Sequence, residues 1–220
     1  LKVNELMKNN TYIPPLRFHW LTSFYDSLVA ITTREAFFKK LIVDKVANVK
    51  GNNLLDVGCG TGTLTKLIAE KSPKHTVIGL DADQTALDIS QKKVIGKDLN
   101  ISFRQGFGQK MPFDENSFDI VVSSLFFHHL NSSAKLATLT EIRRVLKPDG
   151  TLIIADWGKP TSIFQRILFF VVQLLDGFET TKDNVDGVIP SLVVESGFTH
   201  VSDLNIVPTP LGTIRLIEAN

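Results

Sequence analysis

This sequence predicts an α/β fold: an open, mostly parallel sheet with helices on both faces. Three observations carry the prediction. Short apolar runs alternate with amphipathic stretches from about residue 52 to 157. A glycine cluster, "GCGTG" at 58–62, stands where the first apolar run gives way to a helical stretch. Two β-like runs close the sequence, joined only by "PLG". Parallel strands need long crossovers, which helices supply, whereas a short turn joins antiparallel ones.

The elements follow in order. Residues 1–30 are irregular and aromatic, with "TYIPPLRFHWLTSFYD" in their middle. Thr32 and Glu35 then have the spacing of a capping box, which predicts the helix "TREAFFKKLIVDKVAN". "NNLLDV" is a short apolar run ending at glycines, the mark of a buried strand. "TLTKLIAEKS" has helical spacing. "HTVIGL" predicts a second strand, and "DQTALDISQKKVIG" a second core helix ending near Gly96. "NISFRQG" predicts a third strand. "SFDIVVSSL", dense in β-branched residues, predicts a fourth. In "SSAKLATLTEIRRVLKPDG", Leu136, Leu139, Ile142, Val145 and Leu146 recur at helical intervals, and Pro148 and Gly150 close the helix. "TLIIADW" predicts a fifth strand. The apolar run "IFQRILFFVVQLL", 163–175, reads as a buried or lid helix. The polar "ETTKDNVDG" reads as a loop and "VIPSLVVESG" as a short helix. "HVSDLNIVPT" and "TIRLIEAN" then form the terminal hairpin.

Composition narrows the function. The 220 residues suit one domain with an appended lid. A net charge of +1 is no basic excess that would argue for nucleic acid as the main partner. Cys59 is the single cysteine, so disulfides within the chain and cysteine-rich zinc sites are excluded, and no metal site is expected. The thiol and a start, "LKVNELMKNN", without the apolar core of a signal peptide fit a cytoplasmic protein. The 163–175 run is too short to span a bilayer, which takes ~20 residues. Peripheral membrane contact is the minority reading for it.

Ligands of such sheets bind at the carboxyl ends of the strands, where strand order reverses. Gly58, Gly60 and Gly62 allow a tight turn there and carry no Cβ to hold a ligand away. Asp81 ends the second strand about 20 residues later, placed to accept both ribose hydroxyls of a nucleoside cofactor; Asp83 is better read as a helix N-cap. Two cofactor classes compete, a dinucleotide and S-adenosylmethionine. The dinucleotide fingerprint needs a third glycine where Thr63 stands. Asp56, two residues before Gly58, would face the ligand. It would repel a pyrophosphate and attract a sulfonium cofactor with a free amino group.

The motifs "LLDVGCGTG", "VIGLDAD", "MPFDENSFDIVVSSLFFHHL" and "EIRRVLKPDGTLIIADW" together resemble the class I S-adenosylmethionine-dependent methyltransferases, in the broad bacterial group near the quinone-biosynthesis enzymes. The resemblance implies a seven-stranded sheet with an antiparallel last strand. It also implies a single domain over residues 1–220. Within it, residues 1–48 form an N-terminal lid or helical region, 49–157 a cofactor-binding core, 158–187 a lid-like insertion, and 188–220 a C-terminal helix and hairpin. By analogy, Asp56, Gly58, Cys59 and Gly60 form the cofactor-binding turn that holds the methionine end, with Cys59 a small filler in it. Asp81 binds the ribose, Ala82 packs on the adenine, and Ser123 lies under the sulfonium. Relatives often carry an acid after strand three that bonds the adenine amino group. Here Phe107 stands in its place, which leaves the bond to the backbone of Phe107 or Gly108 and sends the Phe107 ring to the adenine edge or into the core. Tyr25 is a candidate pocket wall, and Arg17 a weaker candidate partner for the cofactor carboxylate.

Methyl transfer needs a general base only when the acceptor must lose a proton. His128 and His129 follow strand four within reach of an acceptor and are the catalytic candidates, against a reading in which they bond to backbone or stack in the wall. His19, Trp20 and Asp156 are further cavity candidates. The apolar residues of 163–175 suggest a small, apolar or aromatic acceptor. The alternatives are a non-catalytic S-adenosylmethionine-binding protein and, further off, an NAD-dependent oxidoreductase.

Overall fold

A computed structural model of the protein describes residues 34–220. Seven strands form one sheet: β1 (Asn53–Val57), β2 (Thr76–Asp81), β3 (Ile101–Gln105), β4 (Phe118–Ser124), β5 (Leu146–Gly158), β6 (Val201–Thr209) and β7 (Gly212–Ala219). Their order is β3-β2-β1-β4-β5-β7-β6. The first five run parallel, and β7 is antiparallel to both of its neighbours. The predicted sheet and its antiparallel last strand are therefore present, and strand order reverses between β1 and β4.

Both faces of the sheet are covered, because its central strands are apolar on both sides. Leu54, Ile120, Val122 and Ile153 pack into one core with Phe38 and Ile42. Their neighbours Leu55, Val121 and Ile154 point the other way, against Leu139 and Ile142. The helices are α1 (Glu35–Asn48), α2 (Thr63–Lys71), α3 (Gln84–Lys92), α4 (Ser132–Val145), α5 (Ile163–Asp176), α6 (Phe178–Asp186) and α7 (Ile189–Glu195). A 3-10 turn, Phe127–His129, lies between β4 and α4.

Four expectations need correction or qualification. First, α1 starts at Glu35 behind a left-handed Arg34 with φ 54°, and Glu35 pairs with Lys39. Thr32 lies outside the described residues, as do Arg17, His19, Trp20 and Tyr25.

Second, α4 ends at Val145, and Leu146 already pairs with Phe118 in the sheet. Pro148 disfavours helical geometry in the residue before it, so the chain turns extended early.

Third, the "polar loop" is the helix α6. Its buried residues, Thr180, Thr181, Asn184 and Val185, recur at helical spacing but are mostly polar. Thr180 and Thr181 donate their hydroxyls to the carbonyls of Asp176 and Gly177 one turn back.

Fourth, α5 buries only one stripe, Phe169, Val172 and Gln173. Ile163, Phe164, Ile167 and Leu174 stay more than 60% exposed.

Candidate active site

The reversal between β1 and β4 splays the chain at the carboxyl edge of the sheet, and a cavity of about 240 Å³ opens there. The ends of β1 and β2 contribute Val57, Leu80 and Asp81, the turn after β1 contributes Gly58 and Gly60, and Ala82 lies just beyond β2. The loop after β3 contributes Gly106, Phe107, Gly108 and Gln109. Leu125, Phe126, His129, Leu130 and Asn131 come from the segment between β4 and α4, Ala134 from the first turn of α4, and Glu179 and Thr180 from α6.

The glycine turn has the geometry its composition requires. Gly58 has φ +72°, and its amide donates to Leu80 O at 2.8 Å. A Cβ there would lie 2.3 Å from the Phe126 ring. Gly60 has φ +53° and open space where a Cβ would stand. Its amide donates to Asp81 Oδ2 at 2.7 Å, while Asp81 Oδ1 accepts from the amide of Asp83 at 2.9 Å. A carboxylate has about four lone-pair directions, so two remain for a ligand. Burial raises the Asp81 pKa, against the lowering effect of those two amides. Asp83 caps α3 as expected, accepting from the amides of Thr85 and Ala86.

Three predicted residues lie behind the cavity. Asp56 is 1% exposed and accepts from Thr65 Oγ1 at 2.7 Å. It therefore ties β1 to α2 under the turn and does not face the cavity. Burial pushes its pKa up to about 6, with the Thr65 bond opposing. Ser123 is equally buried and donates to Val57 O at 2.9 Å. Cys59 is part-buried, with its sulfur beside Gly79. Burial, then the charges of Asp56 and Asp81, pushes its thiol far up, which leaves no thiolate for nucleophilic attack.

The two histidines separate sharply. His128 is buried, with Nδ1 2.7 Å from Asp156 Oδ1 and Nε2 3.8 Å from Asp176 Oδ2. Burial lowers its pKa, but the charge and hydrogen bond of Asp156 outweigh that and leave it raised. Asp156 also accepts from the amides of Phe126 and Phe127 and from the side chain of Asn184. It is 2% exposed and anchors the 3-10 turn; it does not reach the cavity mouth. His129 packs against His128 with the rings tilted by 43° and their centroids 4.0 Å apart, and it does line the cavity. Burial, then the charge of His128, brings its pKa down to about 3. It is neutral at physiological pH and a weak base.

The structure thus gathers Gly58, Gly60, Asp81, Ala82, Phe107, Gly108 and His129 around one cavity, and leaves Asp56, Cys59, Ser123 and His128 behind it. Phe107 lines the cavity and does not turn into the core. The residues that sequence reasoning missed include Val57, Leu80, Gly106, Gln109, Leu125, Phe126, the Leu130–Asn131 pair before α4, and Glu179 with Thr180. Leu125 has a left-handed φ of 52°, a strained conformation that collects at functional sites and is invisible in a pattern of residue types.

Comparisons with known proteins agree with this geometry. Residues 54–150 match the model of a family described as a methyltransferase domain. A demethylmenaquinone methyltransferase of Lactobacillus johnsonii is 39% identical over 144 residues, 62% of this chain and 56% of that protein. The chain therefore spans little more than half of that relative's length. A second one, from Staphylococcus saprophyticus, is 33% identical over 77% of this chain and 75% of its own. Among solved structures, a SAM-dependent methyltransferase from Aquifex aeolicus superimposes with TM-score 0.61 at 20% identity, covering 82% of this chain and 88% of that one, a likeness of fold. A sheet with this order, a glycine turn with this acid, and a relative matched across three quarters of both chains have one meaning: the chain belongs to the class I S-adenosylmethionine-dependent methyltransferases.

Proposed function

We propose that this chain moves a methyl group from S-adenosylmethionine to a small, apolar or aromatic acceptor. The observation that supports it most is the shared cavity of the Gly58–Gly60 main chain, the Asp81 carboxylate and the His129 imidazole. The residues present fit the cofactor. Open space at Gly60 admits a ligand against the backbone, and Asp81 keeps two lone-pair directions for ribose hydroxyls. Ala82 and the loop of Gly106–Gln109 would enclose the adenine, and Gly58 and Gly60 would hold the methionine end. When bound, the sulfonium supplies a methyl carbon already activated for in-line displacement.

The chain's own residues then have three tasks. Asp56, through Thr65, holds the glycine turn and α2 in place from behind. Leu125, Phe126, Leu130 and Ala134 give the acceptor end an apolar wall that excludes water. Such alignment contributes ~7–11 kcal/mol in favourable cases. His129, neutral and packed against His128, offers a hydrogen bond to the acceptor; a pKa of about 3 makes it a poor proton acceptor. His128 and Asp156 act through the 3-10 turn that carries His129.

The matched relatives carry the name demethylmenaquinone methyltransferase, which makes a demethylated naphthoquinol the first acceptor to supply. Formation of S-adenosylhomocysteine with that acceptor, and not with polar amines or carboxylates, is the expected result. Turnover of polar acceptors alone contradicts the acceptor class. Tight cofactor binding without turnover of any acceptor contradicts the catalytic reading and leaves a binding protein.

A further inference from the structure

His128 stands between two carboxylates: Nδ1 lies 2.7 Å from Asp156 Oδ1, and Nε2 lies 3.8 Å from Asp176 Oδ2. A neutral imidazole carries one N–H and cannot serve both. On the methyl-transfer reading above, we infer that Asp176 is a positioning residue for the acceptor end of the cavity: its ion pair with a doubly protonated His128 holds the α5–α6 corner against the 3-10 turn that carries His129.

Asp156 fixes the first proton. Its Oδ2 accepts from the amides of Phe126 and Phe127, and its Oδ1 from the amide of Trp157 and the side chain of Asn184. A carboxylate met by this many donors stays ionised, so the proton in the 2.7 Å contact belongs to Nδ1. Nε2 then meets Asp176 where both side chains are nearly buried, 5% and 12% exposed. An unprotonated Nε2 would set a lone pair against that carboxylate. A second proton makes the contact attractive, and at 3.8 Å it is an ion pair, not a hydrogen bond. The remaining charged group near His128 among the described residues is Lys135 of α4, which is itself paired with Asp183 of α6 at 3.2 Å; His129 beside it is neutral. Burial lowers the His128 pKa, but Asp156 and then Asp176 outweigh it. Burial raises the Asp176 pKa against the charge of His128. The pair therefore forms above the titration of Asp176 and is lost as pH rises through that of His128.

The place of Asp176 in the chain lets it act on the cavity from behind. It is the last residue of α5, and only Gly177, with φ +100°, separates it from α6. Its carbonyl accepts from Thr180 Oγ1 at 2.7 Å, which fixes the first turn of α6, where Glu179 and Thr180 line the cavity. On the other side of the pair, His128 packs against His129, which lines the same cavity. One ion pair thus joins two walls. Gly58, Gly60 and Asp81, which would hold the cofactor, belong to the ends of β1 and β2 and stand outside this linkage.

The test compares the full chain with Asp176→Asn, which keeps the volume without the charge, and Asp176→Glu, which keeps the charge. Nitrogen-15 spectra of histidine-labelled protein read the protons on His128. Hydrogen exchange reads the segments 126–130 and 177–184. Turnover of a demethylated naphthoquinol is measured across pH beside calorimetric Kd for S-adenosylhomocysteine. In wild type, His128 is expected to carry both protons at pH 6, and in Asp176→Asn to lose one of them at lower pH than wild type does. Exchange in Asp176→Asn quickens in both segments. Its kcat/KM for the acceptor falls about tenfold, the scale of a small misplacement of reacting groups, while Kd for S-adenosylhomocysteine stays as in wild type. The wild-type fall in kcat/KM with rising pH follows the His128 titration and moves to lower pH in Asp176→Asn. Asp176→Glu restores both segments and most of the turnover. A wild-type His128 without a proton on Nε2 at pH 6, or exchange in 126–130 that is the same in wild type and Asp176→Asn, overturns the inference and leaves the cofactor reading standing. The spectra and the exchange need neither cofactor nor acceptor, so they decide the ion pair by themselves; a wild type that binds no S-adenosylhomocysteine overturns the methyl-transfer reading and the positioning role with it.

Discussion

At the residue scale, the glycines of the turn have different reasons to be glycine. Gly58 is closed in by Phe126, so a side chain there disturbs packing. Gly60 faces open space, so a side chain there disturbs only what enters the cavity. Gly60→Ala is accordingly expected to cost about 1 kcal/mol of stability, from the positive φ, while reducing S-adenosylhomocysteine affinity at least tenfold. Paired thermal melts and calorimetry separate the two. Asp56 supports a second prediction. Its pKa is about 6 in the folded chain against 3.8 unfolded. The native state therefore binds the proton more tightly, and stability falls as pH rises through that window. Integrated from pH 4 to pH 7, the loss is about 2 kcal/mol. Asp56→Asn, which keeps an acceptor for Thr65, is expected to lose that component of the pH dependence in urea titrations at the two pH values. An identical slope in both proteins contradicts the burial argument.

At the scale of elements, α6 is bound to the core by buried polar contacts. Lys135 of α4 is fully buried and donates to Thr180 O and to Asp183 of α6. Burial lowers its pKa, opposed by the Asp183 charge. Asn184 donates to Trp157 O at 2.9 Å. These bonds hold Glu179 and Thr180 at the cavity. Lys135→Met, similar in volume but without the charged donor, removes the buried bond to the Thr180 carbonyl and the ion pair with Asp183. We expect about 1–3 kcal/mol of lost stability and a larger relative loss of acceptor turnover than of cofactor affinity, measured as KM for acceptor against Kd for S-adenosylhomocysteine.

These same elements mark where the sequence was legible. Strands β1, β4 and β5 were readable because they are buried on both faces and bounded by glycines and turns. Helix α6 was not, because its buried face is Thr180, Thr181 and Asn184, and an apolar periodicity does not register polar residues. The split between His128 and His129 was equally hidden, since it depends on Asp156, Asp176 and Asn184, which are distant in sequence. The cap at Asp83 was readable beside Asp81 because a cap and a strand-end acid occupy different positions relative to the following helix. Asp56 was readable as a member of its motif but not in its direction, because the pleat and the Thr65 bond turn it under the glycine turn.

At the scale of the molecule, function converges on one cavity at the point where strand order reverses. Among the described residues no helix is long and apolar enough to cross a membrane, although α5 exposes Ile163, Phe164 and Ile167. The central claim is that this cavity takes an adenosyl sulfur compound, held at its ribose by Asp81. Calorimetric titration of the full chain with S-adenosylhomocysteine, beside Asp81→Ala and with NAD as competitor, tests it most directly. The expected result is one-to-one uptake by wild type, a loss of at least tenfold in Asp81→Ala with its thermal melt retained, and no displacement by NAD. Wild type that takes up nothing, Asp81→Ala that binds as well as wild type, or a ligand displaced by NAD would contradict it.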